Sequence, residues 1–290
     1  MDVIKTCREM SAFSAADRKA GRPIGFVPTM GALHEGHYSL MRRARAENDV
    51  VVASIFVNPT QFGPNEDLSK YPRPFERDLA GCEKAGVDAV FAPTPDEIYP
   101  AGFDTFVTQE RLTGVMCGAS RPGHFRGVLT VCCKLFNVVA PTVAYFGQKD
   151  YQQTRVIERM VADLCMPLRI EVCETVREGD GLAISSRNRY LMPAERADAA
   201  CLFRALKQAE AMAARGVADA ATIIREMKDT IGKVPSASID YIVVADPDTL
   251  QPLERIAGRA VVALAVKVGS TRLIDNMVVE LRPDGCRRQG

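Results

Sequence analysis

Apolar and polar positions follow two different rhythms along this chain. Up to about residue 176, short apolar runs rich in β-branched residues are separated by stretches with helical spacing. Residues 24–27 and 50–57 read as buried strands, each ending near a proline. Between them, residues 37–47 carry helical spacing and many good helix formers. A helix is predicted over 74–85, followed by a strand over 89–91. A second long helix over 127–140 leads to a strand over 143–146, and a further helix covers 152–164. Strand and helix in alternation predict a parallel sheet with crossover helices, an α/β Rossmann-like arrangement. In such sheets ligands bind beyond the carboxyl ends of the strands.

The rhythm changes after residue 177. Glu178-Gly179-Asp180-Gly181 is a turn-rich hinge candidate. Helices are predicted over 193–215 and 219–231, then strands over 238–245, 260–268 and 272–281. Gly269-Ser270 between the last two is a short hairpin signal. The expected architecture is therefore a Rossmann-like domain over 1–176 and a small α+β domain with an antiparallel sheet over 177–290. No internal repeat or low-complexity tract is visible, and the tail from Cys286 reads as frayed.

Composition narrows the class without naming it. Hydrophobic residues make up 47% and charged residues 25% of the 290, the balance of a globular protein with ample core. The net charge of +1 implies no long-range field, so a nucleic-acid partner is not expected. Nine cysteines occur without a CxxC pair, which argues against structural zinc and against a disulfide framework. Several lie in apolar runs, as in Val131-Cys132-Cys133, where a thiol is a small core residue. A reducing, cytoplasmic setting fits best. The start of the chain shows no secretory leader. The longest apolar stretch, 127–141, is interrupted by Lys134 and Asn137. It falls short of the ~20 residues that a membrane span takes, so no membrane partner is expected.

Two segments carry candidate chemistry. The first is Pro28-Thr29-Met30-Gly31-Ala32-Leu33-His34-Glu35-Gly36-His37, running from a strand into a helix. Glycines permit tight turning and close approach of a ligand, and a helix N-terminus favours an anion. Histidines three apart share a helical face. Together these suit a triphosphate. The plainer reading is a strand–turn–helix with two polar histidines. Zinc would need further ligands, and His124 is the one histidine left. The second segment is Ile184-Ser185-Ser186-Arg187-Asn188, where two hydroxyls beside a guanidinium could clamp a phosphate or simply form a loop.

Taken together, His34-Glu35-Gly36-His37 and Ile184-Ser185-Ser186-Arg187 resemble the HIGH-type and KMSKS-type signatures of the nucleotidylyl-transferase superfamily. The blocks between these two signatures, and one near the end of the chain, are similar to those of the pantothenate synthetases, the pantoate–β-alanine ligases. These blocks are Ser54 to Leu68, Tyr71-Pro72-Arg73, Arg121 to Val128, Lys134 to Asn137, Phe146 to Gln153, and Thr271 to Asn276. The resemblance covers nearly the whole chain in order.

That resemblance implies ATP and Mg²⁺ as co-substrate and metal, and a homodimer. It implies an ATP site lined by Met30, Gly31, Ala32, Leu33, His34, Glu35, Gly36 and His37. Gly147, Gln148, Lys149, Asp150, Val176, Ile184, Ser185, Ser186 and Arg187 would complete it. His34, His37, Lys149 and Arg187 would be catalytic, meeting the phosphates. Gln61, Gln153, Asn58 and Arg121 would hold pantoate, with Gln61 also bordering β-alanine. Asp78 matches a carboxylate associated with a metal in some members, although Arg77 replaces a neighbour that is often acidic there. Residues 177–290 would act as a lid. The activity implied is ATP-dependent condensation of pantoate with β-alanine through a pantoyl-adenylate. Rival readings are a plain nucleotidyltransferase, which would not require the Gln61 and Gln153 blocks, and a nucleotide-binding regulator without turnover. A tRNA synthetase is disfavoured by the near-zero net charge.

Overall fold

The computed structural model describes residues 1–64 and 66–281; Cys286 and the rest of the tail lie outside them. The described residues cluster into two compact units. The first comprises Met1–Gly114, Gly118–Gln148 and Gln153–Val176. The second comprises Val115–Cys117, Lys149–Gln152 and the chain from Arg177 onward.

In the first unit, among the described residues, six strands form one sheet: β1 (Asp2–Ile4), β2 (Ile24–Thr29), β3 (Val50–Ile55), β4 (Ala89–Phe91), β5 (Val143–Gly147) and β6 (Arg169–Cys173). Their order is β1-β4-β3-β2-β5-β6 and every pairing is parallel. The helices along this part of the chain are α1 (Cys7–Lys19), α2 (Glu35–Glu47), α3 (Phe75–Lys84), α4 (Pro95–Ile98), α5 (Met116–Ser120), α6 (His124–Val139) and α7 (Tyr151–Asp163). Helices cover both faces of the sheet. Phe26 of β2 meets Phe136 of α6 edge-on, with ring centroids 6.4 Å apart. The next residue, Val27, joins Leu40, Met41 and Ala44 of α2 in a buried cluster. Burial on both faces explains why β2 and β3 read as continuous apolar runs rather than alternating ones. Each such side chain contributes about 1.5–3 kcal/mol by leaving water.

The order of strands reverses beside β2. The chain moves outward from β2 to β3 and β4, then returns to place β5 on the other side of β2. Ligands of open parallel sheets bind at such a reversal, outside the carboxyl ends of the strands. Thr29 and Gly147 stand at those ends.

The second unit holds α8 (Pro193–Ala199), α9 (Cys201–Ala214) and α10 (Ala220–Gly232), then β7 (Ala237–Ala245), β8 (Arg259–Val268) and β9 (Thr271–Glu280). The three strands form an antiparallel sheet in chain order. Its core joins Leu202, Leu206 and Ala209 of α9 and Ile223 and Met227 of α10 to Val262, Leu264 and Val266 of β8. Gly269, at φ +57°, and Ser270 make the two-residue turn between Val268 and Thr271. The single helix expected over 193–215 is two helices, because Ala200 closes α8 by donating its N–H to Asp198 and starts α9 at once.

The α/β class with a parallel sheet and a separate antiparallel sheet is as the sequence predicted. Among the described residues no helix is long and apolar enough to cross a membrane; the 127–141 stretch forms most of α6, largely buried. The described cysteines are free thiols. Burial pushes Cys82 and Cys132 up to about 12, so both remain neutral core residues.

Candidate active site

The segment leaving β2 is shaped by hydrogen bonds to its backbone. The Thr29 hydroxyl donates to the Ser54 carbonyl of β3 at 2.6 Å and accepts from the Gly31 N–H at 3.0 Å. Gly31 takes φ +77° and Ala32 φ +51°, left-handed conformations that turn the chain sharply. The buried Asp78 carboxylate, in the first turn of α3, secures this bend. It accepts from the Ala32 N–H at 2.7 Å and from the Leu33 N–H at 2.9 Å, one on each oxygen. A Cβ on Gly31 would approach that carboxylate to 3.0 Å, so glycine suits both the dihedral and the space.

His34 follows in extended conformation as the N-cap of α2, and its carbonyl accepts the first bonds from His37 and Tyr38. The His34 and His37 rings lie against each other, tilted by 37°, with centroids 4.1 Å apart. Two imidazoles therefore stand together at the N-terminus of a helix, beyond the carboxyl end of a central strand. This arrangement can receive an anion.

A second group gathers after β3, within the same unit. Asn58 is the N-cap of a single 3₁₀ turn, Pro59–Gln61, with proline at its first position. Its Oδ1 accepts from Thr60 N–H at 3.3 Å, and its Nδ2 donates to the Gly127 carbonyl of α6 at 3.2 Å and to Gln61 Oε1 at 3.0 Å. Gln61 Nε2 faces the sulfur of Met30 at 3.1 Å, tying this turn to the segment after β2. Glycine is required at 127, because a Cβ there would collide with the Thr60 carbonyl and the Gln61 amide nitrogen.

Arg121 and His124 brace the turn from outside. The Arg121 guanidinium grips Glu66 with two bonds of 2.6 Å and donates to His124 Nε2 at 2.9 Å. Arginine has donors only, so Nε2 accepts, and the proton is assigned to Nδ1, which donates to the Gln61 carbonyl at 2.9 Å. Burial would raise the Glu66 carboxyl, but Arg121 outweighs it and holds the group below its ordinary value. Gly147 and Gln148 lie at the end of β5, Gln153 is half-buried on the first turn of α7, and Val176 ends this unit.

The remaining predicted residues belong to the second unit. Ser185 caps a 3₁₀ turn, Ser186–Tyr190, by accepting from Arg187 N–H at 3.3 Å. Asn188 fastens that turn to Glu178 and to the Ala183 carbonyl, each at 3.1 Å. Arg196 grips Glu178 and Asp180, and its hydrogen bond holds the Asp180 carboxyl below its ordinary value. The Glu178–Gly181 hinge candidate is thus a braced turn, with Gly181 at φ +90°. Asp275 and Asn276 reach beyond their own hairpin. Asp275 forms a bidentate pair with Arg177 at 2.6 and 3.0 Å, and Asn276 donates to the Lys149 carbonyl at 2.9 Å. Lys149 itself lies 3.7 Å from Asp150.

Sequence reasoning passed over Tyr99, Thr60, Gly127 and Arg196 as participants. Only the helix-compatible glycine inside an apolar run was a usable signal.

The parallel sheet, with its order reversing beside a strand that runs into His34-Glu35-Gly36-His37, defines an α/β protein of the HIGH-motif type. Residues 2–278 match the family described as pantoate–beta-alanine ligase. The chain belongs to that family and is a ligase. Pantothenate synthetase of Moorella thermoacetica is 58% identical to it over 281 residues, 97% of this chain and 99% of that protein. The crystal structure of pantothenate synthetase from Thermus thermophilus is similar with a TM-score of 0.91 and 46% identity, covering 98% of this chain and 100% of that one. A Francisella tularensis pantoate–beta-alanine ligase, solved with beta-gamma ATP and beta-alanine, is similar with a TM-score of 0.80 and 35% identity, covering 96% and 97%.

Proposed function

We propose that this ligase condenses pantoate with β-alanine at the expense of ATP, through a pantoyl-adenylate. The observation that carries the reading is the adjoining His34–His37 pair at the N-terminus of α2, beyond the end of β2, with the Asn58–Gln61 turn tied through Met30 to the segment that leads into it. In the first step a pantoate carboxylate oxygen attacks the α-phosphorus, a P–O bond to the leaving phosphates breaks, and pyrophosphate departs. The carboxylate is already a nucleophile, so the protein's work is positioning and stabilisation of phosphate charge. His34, His37, Lys149 and Arg187 are the catalytic donors in this reading. The segment from Met30 to His37, Gly147 to Asp150, Val176 and Ile184 to Ser186 supply the remaining ATP contacts.

In the second step the neutral β-alanine amine attacks the acyl carbon, the C–O bond to AMP breaks, and one amine proton is lost. Gln61 and Gln153 hold pantoate, Gln61 borders β-alanine, and Asn58 orients Gln61. With its guanidinium committed to Glu66, Arg121 supports that turn from behind.

The chain's own residues do not fit a protein-held Mg²⁺. Both Asp78 oxygens accept backbone N–H bonds, and among the described residues no three His, Cys, Asp or Glu stand together as a metal cage. A Mg²⁺ ion arriving with ATP would be carried by the phosphates, and no step here runs through it. Asp78 serves in this reading as a clamp on the bend. Family membership supports a homodimer in the cytoplasm.

Pyrophosphate–ATP exchange tests the scheme. Exchange should require pantoate and proceed without β-alanine. Exchange that needs β-alanine, or formation of ADP, would overturn the two-step order.

A further inference from the structure

The turn after β3 contains a hydrogen-bond relay with a fixed direction. Its fixed points are backbone groups, which cannot exchange roles. The Gly127 carbonyl can only accept, and the Thr60 N–H can only donate. Asn58 must therefore turn Nδ2 toward Gly127 and Oδ1 toward Thr60. The second Nδ2 proton meets Gln61, so the Gln61 atom facing Asn58 must be the carbonyl oxygen, at 3.0 Å. The Gln61 NH₂ is left pointing the other way. There it meets the Met30 sulfur at 3.1 Å, and a thioether is a weak acceptor. A largely buried amide donor with so poor a partner is ready to exchange it for an oxygen.

Tyr99 begins this relay. Its hydroxyl donates to Asn58 Oδ1 at 2.8 Å and lies 3.1 Å from the Thr60 hydroxyl. Burial pushes the phenol above its ordinary value, so it is a donor throughout the neutral range. Its ring packs between Phe56 and Phe103, with centroids 6.3 and 5.1 Å away, which fixes where the hydroxyl points. Asn58 Oδ1 thus receives bonds from the Tyr99 hydroxyl, the Thr60 hydroxyl and the Thr60 N–H. A carbonyl oxygen so loaded resists any flip of the Asn58 amide.

We propose that Tyr99 is a positioning residue that acts through Asn58 to hold Gln61 as a hydrogen-bond donor, so that Gln61 reads an acceptor oxygen on the acyl substrate. The inference rests on the assignment of pantoate to Gln61. It adds the direction of that contact, which the backbone groups fix, and the residue that holds Asn58 to it.

The test is a double-mutant cycle of Tyr99→Phe and Gln61→Ala in the full-length ligase, read by pantoate-dependent pyrophosphate exchange with each substrate titrated. Phenylalanine keeps the ring packing and removes only the hydroxyl. Tyr99→Phe should raise the pantoate KM roughly 3–10-fold, the scale of one neutral hydrogen bond. The ATP KM should hold, and kcat should change less than about twofold. In the Gln61→Ala background the same substitution should have almost no effect, because the relay then ends in nothing. An unchanged pantoate KM in a folded Tyr99→Phe variant, or an equal penalty in both backgrounds, would overturn the relay. Thr60→Val, which removes a second donor to Asn58 Oδ1, should shift the same constant in the same direction; an ATP-specific effect would count against the proposal. Wild-type behaviour separates the two readings: no pantoate-dependent exchange in the wild type defeats the assigned reaction, whereas normal wild-type exchange with an unaffected Tyr99→Phe defeats the relay alone.

Discussion

The bend after β2 and the turn after β3 follow neighbouring strands, yet they are held by opposite means. The first is fixed through its backbone: Thr29 and Asp78 bind the N–H groups of Gly31, Ala32 and Leu33, just ahead of His34 and His37. The second is fixed through its side chains: Asn58, Gln61, Tyr99 and Thr60 satisfy one another, with backbone groups as anchors. The backbone-held bend leads into the N-terminus of α2, and a helix N-terminus favours an anion whatever its orientation. An amide relay has a donor end and an acceptor end, so it discriminates between oxygens that accept and groups that donate. Under the proposed function this difference divides the labour, with phosphate on one side and the acyl acid on the other.

The division can be broken most forcefully at the phosphate side. His37→Ala and Lys149→Ala should each slow pyrophosphate exchange by roughly 10²–10³-fold, the scale of losing one transition-state charge contact. Folding should be retained, as circular dichroism would show; normal exchange rates would remove the residue from the site. Asp78→Ala should come next, costing about 2–4 kcal/mol of stability by leaving two buried N–H groups without their charged acceptor. Denaturant titration measures it. A midpoint within error of the wild type would show that the bend does not depend on the carboxylate.

On the acyl side the expected effects are smaller and selective. Gln61→Ala should raise the pantoate KM about 10–100-fold, equivalent to about 1–3 kcal/mol for an unpaired partner, with ATP little affected. Gln153→Ala should do the same without touching β-alanine. A fall in ATP affinity with pantoate unchanged would mean that the two turns have been assigned the wrong way round. The smallest effect concerns pH. Arg121 depresses the Glu66 carboxyl, so the pair stabilises the folded chain fully above the ordinary carboxylate range. That contribution is lost as pH falls through the lowered value. Glu66→Gln should flatten this part of the acid limb in thermal unfolding. The pair is only partly buried, so the shift should be modest; an unchanged acid limb would show that Glu66 titrates alike in folded and unfolded chains.

Much of the scaffold was legible from hydrophobic rhythm. β2, β3, β5 and the helix over most of α6 are buried on nearly every side, and their composition says so. β1 and β6 escaped notice because they are sheet edges: β1 has three residues, none fully buried, and β6 has none fully buried either. Periodicity cannot register a strand whose pairing is its main support. The break at Ala200 was invisible for a related reason, since alanine is a good helix former and nothing local demands an end there.

By itself the sequence determined the alternation that makes a parallel sheet, the antiparallel hairpins after residue 177, and the presence of His34, His37, Asn58 and Gln61 in recognisable order. Tertiary structure alone decided how those groups are used. Asp78, expected at a metal, is spent on the N–H groups of a bend that lies 45 and 46 residues earlier. Tyr99 reaches Asn58 across 41 residues, and Gly127 supplies a carbonyl from 69 residues away. Hydrogen-bond direction depends on which donor faces which acceptor in space, and no spacing along the chain encodes that. Propensity and burial are properties of a residue and its near neighbours. The polarity of a relay is a property of the packed assembly, set when distant backbone groups close around it.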